Sequence, residues 1–247
     1  MKQLFYIAFI LIGFNVHAQK DSTKLLLKGN ENFENRSYSL ALQNFGELIN
    51  KSTDIQRKMG YCYWKTNQLP QAERMYSKVI NSGDYNQDEL YEYTRVLLEV
   101  EAYEEFEKQM DLYVKKKPDE IRSKLYLKYK GSYKELQKND STFRLVSVNA
   151  NSGHQDFAAT YYGDQIVYVS SKAPSSPIRR RYNANLLPYL DLYVATVFKD
   201  KFVNVKSFGK GLNTKFHEGP AAFSADNSTI YFSRNDKKRN ADVFRFR

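Results

Sequence analysis

One cysteine and three histidines in 247 residues exclude a disulfide framework and leave too few ligands for a structural zinc site. No stretch reaches the roughly 20 apolar residues that a membrane-spanning helix needs. Gly-x-Ser-x-Gly, His-Glu-x-x-His and a Walker loop are all missing, and Gly209-Lys210-Gly211 lacks the rest of a phosphate cradle. Acidic residues are the scarcer charge, 28 against 38 Lys plus Arg, for a net charge of +10. What is present is enough to build a core. Hydrophobic residues make up 42% and charged residues 27%, which argues against wholesale disorder. Aromatic residues reach 15%, with 20 Tyr and 16 Phe against a single Trp.

The start of the chain reads as an address, with a signal peptide expected over residues 1–18. Lys2 supplies a positive charge, Leu4 to Phe14 is an apolar run of eleven, and Val16-His17-Ala18 puts a small residue before Gln19. That order fits a cleavable secretory signal peptide; the run is too short for an anchor. No Cys follows it to carry a lipid. The mature chain is expected in the periplasm or on the periplasmic face of the outer membrane, with no transmembrane span. Nucleic acid is then excluded as a partner. Cys62, in Gly60-Tyr61-Cys62-Tyr63-Trp64, is expected to serve as a small buried hydrophobe.

Residues 19–140 carry apolar residues at helical spacing and repeat themselves. Gly29, Ala41 and Phe45 are followed 31 residues later by Gly60, Ala72 and Tyr76, with Phe33 and Tyr38 answering to Trp64 and Leu69. A weaker third copy holds Leu90, Thr94, Leu98, Tyr103, Phe106 and Met110 and ends at Pro118. The spacing predicts helical hairpins in which Gly and Ala let two backbones approach and the aromatic one turn beyond the Ala fills the gap. Thr53 and Gln56 suggest a capping box, Pro70 fits a first helical turn, and Asn81-Ser82-Gly83-Asp84 reads as a break. Asp119 to Asn139 is expected to form a closing helix.

These residues, Gly29-Asn30, Phe33, Tyr38, Ala41, Phe45, Gly60, Tyr63, Ala72, Tyr76 and Pro118, resemble the tetratricopeptide repeat (TPR). The interval of 31 departs from that family's usual 34, and Thr94 and Phe106 stand where Gly and Ala are expected. The resemblance implies an α-solenoid that binds other proteins along a groove. The groove positions it implies are Asn30, Phe33, Arg57, Tyr61, Trp64, Lys65, Tyr91 and Arg95. Core packing competes with this role for the aromatic residues, whereas Arg57, Lys65 and Arg95 are better contact candidates because charges seldom go inside unpaired.

Residues 143–247 change texture. Arg144 to Val148, Gln165 to Ser170 and Asp191 to Val197 are short β-branched and aromatic runs separated by Asn, Gly, Pro and Ser, a pattern of strands and turns. Asp156 to Tyr161, Ile166 to Ser171 and Asp191-Leu192-Tyr193 recur as Glu218 to Phe223, Thr229 to Arg234 and Asp242-Val243-Phe244. Each set predicts one sheet of a few antiparallel strands. The turn-and-strand Asp226 to Ser233, with Asn227 at the usual glycine position and Gly163-Asp164 in the first set, resembles the WD40-like (TolB-type, PD40) β-propeller repeat. Asn tolerates the left-handed conformation this implies. A closed propeller takes about 4 to 8 blades, so two visible blades make an incomplete ring.

The strand-rich part carries 16 cations against 8 acids, and residues 19–142 carry 21 against 20. Arg179, Arg180 and Arg181 occupy the same loop of the first set as Lys237, Lys238 and Arg239 do of the second, and form an expected basic rim. Such a rim either solvates a loop or docks on an anionic surface. His154 and His217 recur just before the first strand of each set, which favours a structural role over acid–base or metal chemistry.

The order of parts gives a multidomain α plus β chain: signal peptide, TPR-like α-solenoid, then an incomplete WD40-like propeller. It resembles the N-terminal portion of a Bacteroidota OmpA-family envelope protein, of the kind associated with type IX secretion. Asn149 to Ser171, Pro188 to Tyr193 and Asn213 to Asn235 carry that resemblance. The family's peptidoglycan-binding domain lies outside these residues, so peptidoglycan binding is not carried over. The implied role is a non-enzymatic scaffold without cofactor that binds envelope proteins. The alternatives are an anionic-glycan or lipid-binding module and an accessory gate for an envelope enzyme.

Overall fold

The computed structural model describes residues 22–132, 146–172, 181–199, 201–209 and 211–235, together with the backbone of 242–246. The signal-peptide residues and most of both basic loops lie outside them. The chain forms two compact units, the first spanning 1–141 with 183–185 and the second the remainder. All described helices belong to the first and all described strands to the second.

The first unit holds α1 (22–34), α2 (Tyr38–Gly46), α3 (Thr53–Lys65), α4 (Leu69–Ser82), α5 (Gln87–Glu99), α6 (Tyr103–Lys116) and α7 (Ile121–Tyr129). Each helix from α2 onward packs on the next in sequence, from α2 on α3 to α6 on α7. The glycine and aromatic spacing has the anticipated effect. A Cβ added at Gly29 would lie 2.5 Å from a Phe45 ring carbon, and one at Gly60 would lie 3.3 Å from the Tyr76 ring. Ala41, Phe45, Ala72 and Tyr76 are fully buried. Two apolar clusters result, one around Phe45, Met59 and Cys62 and the other around Tyr76, Leu90, Val96 and Tyr113, with Tyr63 touching both.

The hairpins also share a turn. The chain leaves α1, α3 and α5 through Arg36, Asn67 and Glu101, all left-handed at φ 57°, 59° and 60°. At each turn the left-handed residue's N–H and the next N–H donate back to two carbonyls of the helix end: Arg36 to Phe33 and Ser37 to Asn32, Asn67 to Trp64 and Gln68 to Tyr63, Glu101 to Leu98 and Ala102 to Leu97. This is the Schellman pattern of helix termination, repeated three times. The third hairpin thus turns as the first two do although Thr94 replaces the glycine.

Several local expectations change. Ser52, not Thr53, caps α3, its Oγ accepting from Ile55 N–H, and the Gln56 side chain donates to Lys51 O. A full capping box occurs at Asn86 and Glu89 of α5 instead. Pro70 does sit in the first turn of α4, and Gly83 ends it at φ 77°. The closing helix spans Ile121–Tyr129, shorter than Asp119 to Asn139; residues 133–145 lie outside the description.

The second unit contains a four-stranded antiparallel meander, β1 (Asp156–Tyr162), β2 (Gln165–Ser170), β3 (Asp191–Phe198) and β4 (Lys201–Ser207). A three-stranded antiparallel sheet follows: β5 (Glu218–Phe223), β6 (Ile230–Arg234) and β7 (Asp242–Phe246). Neither sheet closes into a barrel. Residues 146–148 of the run anticipated as a strand are not in one, and β4 joins a sheet expected to end at β3. Irregular register follows Phe157 in β1 and Glu218 in β5, so the two sheets bulge at matching places.

Strands β2 and β3 are buried on both faces, which is why they read as continuous apolar runs rather than alternating ones. Val167, Val169, Leu192 and Val194 meet Ile230 and Phe232 of the second sheet, while Ile166, Tyr168, Tyr193 and Ala195 pack with Val148, Ala150, Phe202 and Val205.

Candidate functional site

In the helical unit, half-buried aromatic rings run from α1 to α5. Phe33 and Tyr61 meet edge to face at 5.9 Å, Tyr61 and Trp64 at 6.0 Å, and Tyr38 closes on Tyr61 at 5.7 Å. Helical spacing makes this row. Tyr61 and Trp64 are three residues apart on α3 and so share a face, and Phe33 reaches it from the end of α1. Cations lie over the rings: Lys58 5.9 Å from Phe33, Lys65 4.2 Å from Trp64, and Arg95 of α5 4.6 Å from Trp64. Farther along, Arg122 sits 4.3 Å over Tyr91, whose ring also meets Tyr113. The row offers flat apolar surface under positive charge, suited to partner side chains that are aromatic, aliphatic or acidic.

The anticipated groove residues do not behave alike. Phe33, Tyr61, Trp64 and Tyr91 are half-buried, so each both packs and presents an edge. Lys65 and Arg95 are exposed. Arg57, by contrast, is already engaged. Its Nε lies 2.5 Å from Glu89, its other nitrogens approach Asp54 and Asp84, and one donates to the Asp84 carbonyl at 2.9 Å. The Arg57 Nε contact is an ion pair whose N–H is not aimed at the carboxylate. Asn30 accepts from Lys58 Nζ at 2.8 Å. Arg57 and Asn30 therefore hold α1, α3 and α5 together more than they offer contact.

Carboxylates collect on one side of the row. Asp54, Asp88, Glu89 and Glu92, with Arg57 and Lys58, line a hollow of about 310 Å³. Burial pushes the Glu92 carboxyl up, against a hydrogen bond from Tyr76 Oη at 2.9 Å that favours its ionised form. Sequence reasoning missed a second hollow of about 550 Å³ between α5, α6 and α7, lined by Arg95, Leu98, Phe106, Met110, Leu125 and Tyr129 among others. The exposed leucines and tyrosine of α7 were its only signal.

Cys62 is fully buried and burial pushes its thiol up to about 12, so it serves as core. The two recurring histidines separate. His154 is exposed, whereas the His217 ring lies between Tyr182 and Tyr189, and its Nδ1 accepts from Leu190 N–H at 3.1 Å. Burial holds its pKa below the usual histidine value. The repeated feature is the turn around each histidine. Ser152 donates from N–H and Oγ to Asp156, and Thr214 does the same to Glu218. Glu218 is fully buried and pairs with Arg234 Nε at 2.8 Å. Asp191 beside it is pushed up to about 7, first by burial and then by the Glu218 charge.

Of the basic rim, only Arg181 falls among the described residues. It is exposed and bridges to Pro188; Arg179, Arg180, Lys237, Lys238 and Arg239 lie outside them. Among the described residues, no three His, Cys, Asp or Glu side chains converge as a metal site requires, and no helix is long and apolar enough to cross a membrane. No protein-family model and no curated protein matches this chain.

Proposed function

We propose that this chain is an exported, non-enzymatic scaffold of the cell envelope that binds partner proteins along the aromatic row of α1, α3 and α5. The observation that carries the reading is the continuous set Phe33, Tyr61 and Trp64 under Lys58, Lys65 and Arg95. Aromatic and arginine side chains dominate the binding energy of protein interfaces, and here they meet across α1, α3 and α5. The three matching hairpin turns support the finer reading of this unit as a TPR-like solenoid. The matching bulges and polar turns of the two sheets support reading them as successive propeller blades. Membership of an OmpA-type, secretion-linked assembly rests on the order of the parts.

A photo-reactive residue at position 61 tests the proposal by trapping neighbours in intact cells of the native organism. Defined envelope proteins should be captured, and Trp64→Ala with Lys65→Glu should abolish capture while leaving the helical signal unchanged. Capture that survives those substitutions removes the groove from the reading.

A further inference from the structure

Helix α7 spreads its apolar residues around its circumference instead of gathering them on one side. Tyr126 is buried, yet Leu125 remains 49% exposed, Tyr129 54% and Ile121 67%. Leu125 and Tyr129, one turn apart, face Leu98 of α5 and Phe106 and Met110 of α6 across the hollow of about 550 Å³. That volume accepts large apolar side chains and is far too small for a second domain.

The charges around this hollow are one-sided. Arg95 and Arg122 line it and no carboxylate does. Arg122 is partly neutralised by Asp88 at 3.2 Å. Arg95 has no carboxylate partner among the described residues; its guanidinium is exposed and rests over the Trp64 ring. A guanidinium placed this way lies ready for a carboxylate, which it binds through short, charge-assisted hydrogen bonds. The neighbouring hollow has the opposite balance, four carboxylates against Arg57 and Lys58. Glu92 of that hollow precedes Arg95 of this one by three residues on α5, about 4.5 Å of helix rise. A uniformly acidic ligand is thus repelled at the Glu92 end, and a single carboxylate is favoured on the arginine side of this hollow, where Arg95 is the cation without an ion-pair partner among the described residues.

We propose that this α5–α6–α7 pocket takes a short segment of a partner protein in which a bulky aliphatic side chain is followed by a carboxylate, the rest of the segment being neutral or basic. The proposal rests on the groove reading above and adds the chemistry of the ligand. The aliphatic side chain enters between Leu98, Leu125 and Tyr129, and the carboxylate pairs with Arg95.

Trp64 is the chain's one tryptophan, so its fluorescence reports directly on the guanidinium above it. The purified protein is titrated with the peptide Lys-Ser-Gly-Leu-Glu-Gly, capped at both ends, and with a version carrying Lys in place of Glu. The acidic version should bind and shift the Trp64 signal, and the reversed version should bind about tenfold more weakly or worse. Arg95→Glu should invert that preference, and Leu125→Ala should weaken both peptides. Arg95 and Leu125 are exposed, and unchanged circular dichroism verifies that the variants fold. Equal binding of the two peptides, or a preference unmoved by Arg95→Glu, overturns the proposal. If position 61 still traps a partner while the peptides fail, the groove reading stands and this ligand chemistry falls; if position 61 traps nothing, the groove reading falls with it.

Discussion

The two units repeat themselves by opposite means. In the helical unit the recurring contact is apolar: Phe45 against Gly29 and Tyr76 against Gly60, with alanines at the crossing. In the strand unit it is polar: Ser152 on Asp156, Thr214 on Glu218, and the Asn213 amide bonded to both the N–H and the C=O of Leu192. The first kind of seam depends on volume and is indifferent to pH. The second depends on charge and hydrogen bonding, and removal of one partner leaves the other buried and unsatisfied.

The sharpest test removes one key residue from each seam. Phe45→Ala should cost about 3–5 kcal/mol, because the fully buried ring leaves a cavity against a glycine that cannot fill it. Urea unfolding followed by Trp64 fluorescence measures this in the helical unit alone. Arg234→Ala should cost roughly 3 kcal/mol or more, since it strands the buried Glu218 carboxylate. Loss of hydrogen-exchange protection in β5 and β6, with the helices unaffected, is the expected signature. A loss shared by both units would break the contrast.

A pH titration sharpens it further. Asp191 has a folded pKa of about 7 against 3.8 when free, so between those values the folded state holds the extra proton. Its contribution is fully present below about pH 4 and is lost as pH rises through 7. His217 acts in the opposite sense: burial lowers its pKa, so stability falls as pH drops below the free histidine value. Glu218 and Arg234 face the same corner and set the charge that Asp191 meets. Asp191→Asn should therefore remove a decline in strand-unit stability between pH 4 and 7. Protection of the β5 amides, compared in both forms, measures it. Helical-unit stability followed by Trp64 should not respond to that substitution.

The smallest effect concerns the hairpin turns. Glu101 is left-handed at φ 60°, where a side chain is strained, so Glu101→Gly should stabilise by about 0.5–1 kcal/mol. Asn67→Gly should change stability by a few tenths, because Asn already tolerates that conformation. A difference in urea midpoint between the two variants checks it.

The legible parts of the fold were those written in side-chain size and period. Gly29, Ala41 and Phe45 announced a hairpin, and Asn227, at φ 58°, announced its turn. The three Schellman turns were hidden because Arg36, Asn67 and Glu101 share no chemistry; their common φ is imposed by the helices on either side. Strand β4 escaped notice because its lysines and Asn204 resemble a loop, although Phe202, Val203 and Val205 do pack. Of the candidate site, the aromatic row was readable from Phe33, Tyr61 and Trp64. The engagement of Arg57 was not, since Glu89 and Asp84 reach it only after two further helices have packed.

By itself the amino-acid order determined which residues become core and where each unit repeats, because burial follows apolar period and close approach follows glycine and alanine. Which charged groups are used up inside the fold and which remain available, as with Arg57 against Arg95 or His217 against His154, was decided only by tertiary structure. Electrostatic pairing acts between residues distant in sequence, and their distances do not exist until the chain has packed.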